Sequence, residues 1–144
     1  MRCRPVKRLS PVVLCAVLLA SAGAARADPA RDAILAQLTA EAKQADPSFS
    51  GFSAERGGAF WSTPHGGGKP DTPACITCHT HDPRAQGQTR AGKIIQPMAV
   101  SKTPDRFTDP AKVQKWFTRN CKSVLGRPCT AVEKGDVITY LSEQ

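Results

Sequence analysis

Residues 75–79 read Cys-Ile-Thr-Cys-His, and this stretch decides the fold. Two thiols at positions i and i+3 of a helical turn can form thioethers with the two vinyl groups on one side of a haem. The next residue then projects its imidazole onto the iron. The motif predicts one covalent haem c, with Cys75 and Cys78 as its anchors and His79 as the proximal metal ligand.

The same five residues have three other interpretations: a thioredoxin-like dithiol, half of a zinc site and a structural disulfide. A dithiol catalyst needs a βαβ context, and no convincing strand pattern occurs in the sequence. A zinc site needs a second pair with similar spacing, whereas Cys121 and Cys129 lie eight residues apart and no His-X-X-X-His segment exists. Haem attachment is therefore the favoured interpretation.

The first 27 residues have the pattern of a secretory signal peptide. A basic start precedes an apolar run over residues 12–20, and the segment ends in Ala25-Arg26-Ala27. The apolar run is too short to cross a bilayer, which takes about 20 residues. We expect cleavage after Ala27 and a periplasmic mature protein, in a compartment where cysteines pair.

The net charge of +8 arises mostly from this leader. Residues 1–27 hold five of the 20 Lys and Arg side chains and no Asp or Glu, so residues 28–144 carry 15 basic and 12 acidic groups and a charge of +3. A polybasic nucleic-acid interface is therefore not supported. A 117-residue remainder with few large apolar side chains would profit from an embedded cofactor.

Caps and apolar spacing predict an all-α protein with four short helices over residues 28–44, 53–63 and 109–120 and from Thr130 to near the C-terminus. We expect residues 28–50 to form an N-terminal helical extension and residues 51–144 to form one further domain around the haem. The apolar residues on these helices are Ile34, Leu35, Leu38, Phe60, Trp61, Val113, Trp116, Phe117, Val132, Val137, Ile138 and Leu141. Gly57 would let another helix approach closely. Long loops over 65–73 and 82–104 would pack poorly alone, so we expect them to wrap the haem.

Cysteine arithmetic predicts one disulfide. Cys3 and Cys15 leave with the signal peptide, and the haem takes two more thiols, so Cys121 and Cys129 remain. In an oxidising compartment these two should pair. The bridge would link the last two helices and fix the end of the helix that carries Asn120.

The second axial position of the iron has four candidates in this sequence, His65, His81, Met98 and Asn120, or no ligand. His81 is excluded because two residues after His79 span at most about 7 Å, too little to pass around the porphyrin. Met98 could reach the iron or simply pack against the ring, and His65 lies in a glycine-rich loop. Asn120 lies at a predicted helix end, where asparagine is most often a C-cap.

Several longer stretches resemble the sphaeroides haem protein family, which comprises oxygen-binding monohaem cytochromes c of class I type. They are Phe-Ser-Ala-Glu-Arg-Gly at 52–57, the run from His65 to Thr80, Ile-Gln-Pro-Met-Ala at 95–99 and Lys-Trp-Phe-Thr-Arg-Asn-Cys at 115–121. The closing 134–141 segment is similar to the last helix of class I cytochromes. The resemblance covers residues 50–142 and implies a class I cytochrome c-like helical fold, with 28–50 as an extra N-terminal helix.

The resemblance also implies that Asn120 is the sixth ligand, bound to ferric iron and released on reduction. The vacated site would then bind a diatomic ligand such as oxygen or nitric oxide, and the cysteine after the asparagine would be disulfide-bonded. A neutral, hard amide is a poor ligand for softer ferrous iron, which agrees with this role. The protein would transfer single electrons rather than act as an enzyme.

Two other functions stay open: an ordinary electron carrier with His79 and Met98 as ligands, and a haem-based sensor or catalytic subunit. The resemblance suggests a redox partner that is a multihaem cytochrome c or a membrane cytochrome b, and we expect a monomer. Six lysines could ring an exposed haem edge for an acidic partner, or could simply be solvated: Lys69, Lys93, Lys102, Lys112, Lys115 and Lys122.

Overall fold

The structure, a computed structural model, describes residues 28–144, so the predicted signal peptide over 1–27 lies outside it. The described chain forms five helices: α1 (Pro29–Ala45), α2 (Ala54–Ser62), α3 (Ile76–His79), α4 (Pro110–Leu125) and α5 (Ala131–Ser142). The helical prediction is confirmed. Across residues 28–144, none of these helices is both long and apolar enough to pass through a membrane.

Side-chain caps begin the helices where the sequence predicts. The Asp28 carboxylate accepts a hydrogen bond from the backbone N–H of Ala30 at 3.0 Å, and Pro29 occupies the first turn. At α5, the Thr130 hydroxyl accepts from the N–H of Glu133 while the Glu133 carboxylate accepts from the N–H of Thr130, which completes a capping box. Ser53 and Asp109 cap α2 and α4 in the same way.

Helix α5 is the centre of the core, and α1 and α2 both pack against it. Ile34, Leu38 and Ile138 form an N-terminal cluster, in which Ile138 is fully buried. A central cluster consists of Trp61, Val137 and Leu141. Each buried aliphatic side chain contributes about 1.5–3 kcal/mol relative to exposure, so these two clusters supply much of the fold's stability.

The expected close helix approach at Gly57 is confirmed, since a Cβ at this position would overlap the carbonyl of Asp136 on α5. The same aspartate ties the start of α2 to α5. Its carboxylate accepts from the N–H of Ser53 at 2.7 Å and from Nε of Arg56 at 2.8 Å. The absence of a side chain at Gly57 and the ion pair together fix the spacing of the two helices.

Two sequence predictions about the elements are wrong. A two-residue antiparallel ladder pairs β1 (Gly87–Gln88) with β2 (Ile94–Ile95), although no strand was expected. In addition, α4 does not end at Asn120 but continues to Leu125. The residues after Asn120 contain no helix breaker before Gly126, which adopts a left-handed conformation with φ 72° and ends the helix.

Candidate haem site

The Cys-Ile-Thr-Cys-His stretch forms a single tight turn that begins at Cys75, where the N–H of His79 donates to the carbonyl of Cys75 at 3.1 Å. Thr80 then leaves the turn with a positive φ of 64°. Cys75 and Cys78 are free and half-buried. The turn therefore presents two thiols and an imidazole from five consecutive residues, as the motif predicts.

The environment of Cys75 argues against the dithiol interpretation. Burial raises the pKa of the Cys75 thiol to about 11, so the thiol stays protonated at neutral pH. A redox-active Cys-X-X-Cys pair needs the opposite shift, because its nucleophile is the thiolate. The two cysteines also form no disulfide with each other.

His79 lies against the central cluster, with its ring centroid 5.2 Å from that of Trp61. Burial, and to a smaller extent the positive charge of Arg106, lowers the pKa of His79 to about 4. The imidazole is therefore neutral at physiological pH, which is the form that binds a metal.

Two buried nitrogen atoms lack a hydrogen-bonding partner within the described part of the chain: Nδ1 of His79 and Nε1 of Trp61. Buried polar atoms without partners cost free energy and are rare in folded proteins. The two rings lie next to each other, and their unpartnered nitrogens are consistent with a further chemical group bound beside the turn. The donors present, two thiols one turn apart and a neutral imidazole, fit a covalently held haem.

Residues from distant segments meet the motif at the central cluster. Cys75, Ile76 and Met98 all pack against it, and Phe107 and Phe117 add further apolar surface. Met98 is half-buried, and its N–H donates to the carbonyl of Pro83 at 2.9 Å. The structure thus brings Met98 to the same apolar region as the haem-binding turn.

His65, one of the candidate ligands, is engaged elsewhere in this structure. Its Nε2 donates to the carbonyl of Phe60 at 2.8 Å, and its ring lies 4.6 Å from the ring of Phe60. This hydrogen bond and ring contact give His65 a structural role here. His81 is exposed.

Asn120 lies in the interior of α4 on its exposed side. Its side chain has no hydrogen-bonding partner among residues 28–144, and Trp116 precedes it by one turn on the same side. Trp116 is 51% exposed, although it was expected among the apolar residues of the helix, and the cations of Lys115 and Arg119 lie within 6 Å of its ring. An exposed indole beside an unpartnered amide is a surface suited to an apolar, planar group.

Cys121 and Cys129 form a disulfide with their Cα atoms 5.6 Å apart. The bridge joins the last turn but one of α4 to the residue before the cap of α5. With Val124 and Leu125 it forms a third buried cluster, against which Phe117 packs. The bridge therefore holds the part of α4 that carries Asn120 from within the helix rather than from its end.

All six lysines that could surround a haem edge are exposed. Two of them, Lys69 and Lys122, border a shallow depression of about 480 Å³ together with Arg119. Among residues 28–144, no three His, Cys, Asp or Glu side chains lie close enough together to form a metal-binding group.

Three residues near the site were not recognised from the sequence as site residues: Trp61, Arg31 and Arg106. Trp61 was placed on its helix, but nothing in the sequence pairs it with His79. Arg31 falls at i−3 from Ile34 on the buried face of α1, a spacing that could have revealed it. Arg106 has no periodic signal at all.

Comparisons with known proteins find cytochromes among the relatives of this chain. A family model described as a domain of unknown function, DUF1924, matches residues 47–141. The cytochrome c-type protein SHP of Cereibacter sphaeroides is 57% identical over 91 residues, which are 63% of this chain and 70% of that protein. Cytochrome c'' of Methylophilus methylotrophus is 36% identical over 105 residues, 69% of this chain and 70% of that protein.

Solved structures give the same relatives. The structure of oxidized SHP, described as an oxygen-binding cytochrome c, matches with a TM-score of 0.74 and 47% identity, over 82% of this chain and all of that one. Oxidized cytochrome c'' from Methylophilus methylotrophus matches with a TM-score of 0.67 and 32% identity, over 78% of this chain and 92% of that one.

Proposed function

The chain belongs to the family of the cytochrome c-type protein SHP, and on that premise we propose that it is an exported monohaem cytochrome that transfers single electrons and, when reduced, binds a diatomic ligand. The haem supplies one-electron chemistry and an axial position for a small ligand. The side chains of this chain would hold the haem, exclude water from it and provide its axial ligands.

The haem would be held by the α3 turn. Cys75 and Cys78 would form the thioethers, and the neutral imidazole of His79 would bind the iron. Trp61 and the rest of the central cluster exclude water from this side, which keeps the local dielectric low and the imidazole unprotonated. The observation that carries the proposal is this buried turn, with the orphaned Nδ1 of His79 and the buried, protonated thiol of Cys75.

Asn120 would be the ligand that opens the site. Its amide is exposed and without a partner in the described residues, and the Cys121–Cys129 bridge limits the movement of the helix that carries it. An amide oxygen is a hard, neutral donor and binds ferric iron better than ferrous iron. Release of Asn120 on reduction would leave the position available to oxygen or nitric oxide, in keeping with the description of SHP as an oxygen-binding cytochrome c.

A second candidate, a simple electron carrier with His79 and Met98 as ligands, is favoured by one observation. Met98 packs against the same central cluster as Cys75 and Ile76. In that protein a thioether would hold both oxidation states and raise the reduction potential, and no site would open.

We further propose a periplasmic location after cleavage at Ala27 and a monomeric state. The redox partner would be a multihaem cytochrome c or a membrane cytochrome b with an acidic docking surface. The exposed lysines of α4, Lys112, Lys115 and Lys122, would provide the complementary positive charge.

Absorption spectroscopy of the ferrous protein with and without carbon monoxide tests the proposal. We expect a five-coordinate ferrous spectrum that changes on addition of carbon monoxide, and a ferric spectrum without the methionine–iron charge-transfer band. A ferrous spectrum insensitive to carbon monoxide, together with that band in the ferric protein, would establish the electron carrier instead.

A further inference from the structure

Arg31 on α1 is a buried charged residue whose burial neither helix formation nor haem attachment explains. It is 4% exposed and shares its helix face with the apolar residues Ile34 and Leu38. Burying a guanidinium is costly unless its N–H groups find acceptors. The acceptors of Arg31 therefore show which part of the fold α1 supports.

Two backbone carbonyls that accept from Arg31 lie more than 70 residues away, in the loop between β2 and α4. Nε of Arg31 donates to the carbonyl of Arg106 at 3.1 Å, and Nη2 donates to the same carbonyl at 3.0 Å and to the carbonyl of Pro104 at 2.7 Å. The planar fork of an arginine can hold two carbonyls at once in one geometry. Arg31 is the only buried Lys or Arg side chain in the described chain, and its hydrogen bonds join α1 to this loop.

A second arginine continues the connection. Nε of Arg106 donates to the carbonyl of Pro97 at 3.1 Å, and its Nη2 donates to the carbonyl of Gln96 at 2.7 Å. The hydroxyl of Thr103 donates to the same Pro97 carbonyl at 2.9 Å. The two ends of the loop are therefore held together directly before Met98.

The backbone conformation of Phe107 shows that its surroundings constrain the loop. It has a φ of 61°, a conformation that bulky residues rarely adopt and that persists only where the surroundings impose it. Arg31 binds the carbonyl that immediately precedes Phe107. The Phe107 ring packs against both the N-terminal and the central clusters, so it links α1 with the haem side of the core.

We propose that Arg31 is a positioning residue that sets the distance of Met98 from the haem, and thereby how tightly the reduced protein retains a diatomic ligand. The route runs from Arg31 to the carbonyl of Arg106, from the Arg106 side chain to the carbonyl of Pro97, and on to Met98. This inference rests on the proposed haem site. It gives α1 a role beyond covering the core.

The test uses the full mature haem protein and two readouts. The first is the rate of carbon monoxide dissociation from the ferrous protein. The second is the ¹³C-methyl resonance of Met98, whose shift depends on its distance from the haem ring. The chain has two methionines, and the other, Met1, lies in the predicted signal peptide, so the resonance is single.

In Arg31→Gln we expect a shifted Met98 resonance and carbon monoxide dissociation that is several-fold faster, while covalent haem and the ferric absorption spectrum stay unchanged. Arg31→Lys keeps a donor but loses the fork, so it should fall between Arg31→Gln and the parent. Ala42→Gly is the matched control, because it weakens α1 at a buried position outside the N-terminal cluster that Phe107 contacts. It should lower thermal stability yet move neither readout.

Three outcomes would overturn the inference: an unmoved Met98 resonance in Arg31→Gln, an equal displacement in Ala42→Gly, or faster dissociation by Arg31→Gln that persists in a Met98→Ala background. A parent protein that binds no carbon monoxide would refute the proposed ligand chemistry instead. The Met98 resonance would then still decide whether Arg31 positions this loop.

Discussion

The α3 turn and the Asn120–Cys121 segment of α4 differ in how far the structure supports the haem role proposed for each. The turn brings its three donors together within five residues, and the pKa shifts of Cys75 and His79 follow directly from burial of that turn. Asn120 is one exposed amide on a long helix, with no partner among residues 28–144. Covalent attachment is thus local in the sequence, whereas axial ligation depends on what lies opposite the helix.

The length of α4 bears on the role of Asn120. If the helix ended at Asn120, capping would explain the asparagine. The helix instead continues to Leu125, and Gly126 provides the cap. Asparagine is a weak helix former, so its place within α4 calls for a reason other than secondary structure.

The largest expected effect is the loss of haem attachment. Cys75→Ala or Cys78→Ala should sharply reduce covalent haem, because each thiol forms one thioether, and the double substitution should abolish it. Denaturing gels stained for haem peroxidase measure this. His79→Ala should remove the proximal bond and alter the absorption spectrum.

Thr77→Ala is the control for this experiment, since Thr77 lies exposed on the same turn and only accepts a hydrogen bond from the N–H of Ala74 at 3.3 Å. It should keep full haem. Full haem retention in the double cysteine variant would overturn the assignment of the α3 turn.

The next effect concerns the other region. Asn120→Ala should leave haem attachment intact but convert the ferric spectrum to a five-coordinate or water-bound form, because the proposed amide ligand is gone. The ferrous protein, whose site the proposed mechanism leaves open, should resemble the parent and still bind carbon monoxide. Met98→Ala should change the absorption spectrum of neither oxidation state.

Gln114→Ala, another exposed amide on α4, serves as the control and should have no spectral effect. A ferric spectrum unchanged by Asn120→Ala but transformed by Met98→Ala would reverse the assignment. The protein would then be a simple electron carrier with a higher reduction potential.

The two regions also differ in how far the sequence predicts them. Caps and motif spacing are local signals, so the starts of α2, α4 and α5 and the α3 turn were predictable. The partners of Arg31 and the contact of Trp61 with His79 were not, because they join segments far apart in the chain. The wrong end of α4 came from treating Asn120 as a stop, although the glycine at 126 adopts the left-handed conformation at lower steric cost.

A smaller effect is expected for the disulfide. The mature protein should contain no free thiol, because the haem takes two cysteines and the Cys121–Cys129 bridge takes the others. Thiol titration under denaturing conditions checks this, and one or two reactive thiols per chain would count against it. Replacing both bridge cysteines by serine should lower the free energy of unfolding by about 2–3 kcal/mol, since the closed loop is short.

The smallest effect tests the scaffold that both regions share. Gly57→Ala places a methyl group against the backbone carbonyl of Asp136, which cannot move without shifting α5. Overpacking of this kind costs about 1–3 kcal/mol, which outweighs the gain of about 1 kcal/mol that alanine brings to a helix interior. Urea unfolding of the haem protein should show the loss.

The neighbouring glycine is the control for this substitution. A Cβ at Gly58 lies 3.1 Å from the ring of Tyr140, a side chain that can turn aside, so Gly58→Ala should be neutral or slightly stabilising. Because α5 carries Val137 and Leu141 of the central cluster, a shift of α5 in Gly57→Ala should also disturb the packing around His79 more than the packing around Asn120. Equal stability of the two variants would mean that α2 and α5 are not held at the close spacing on which the haem pocket depends.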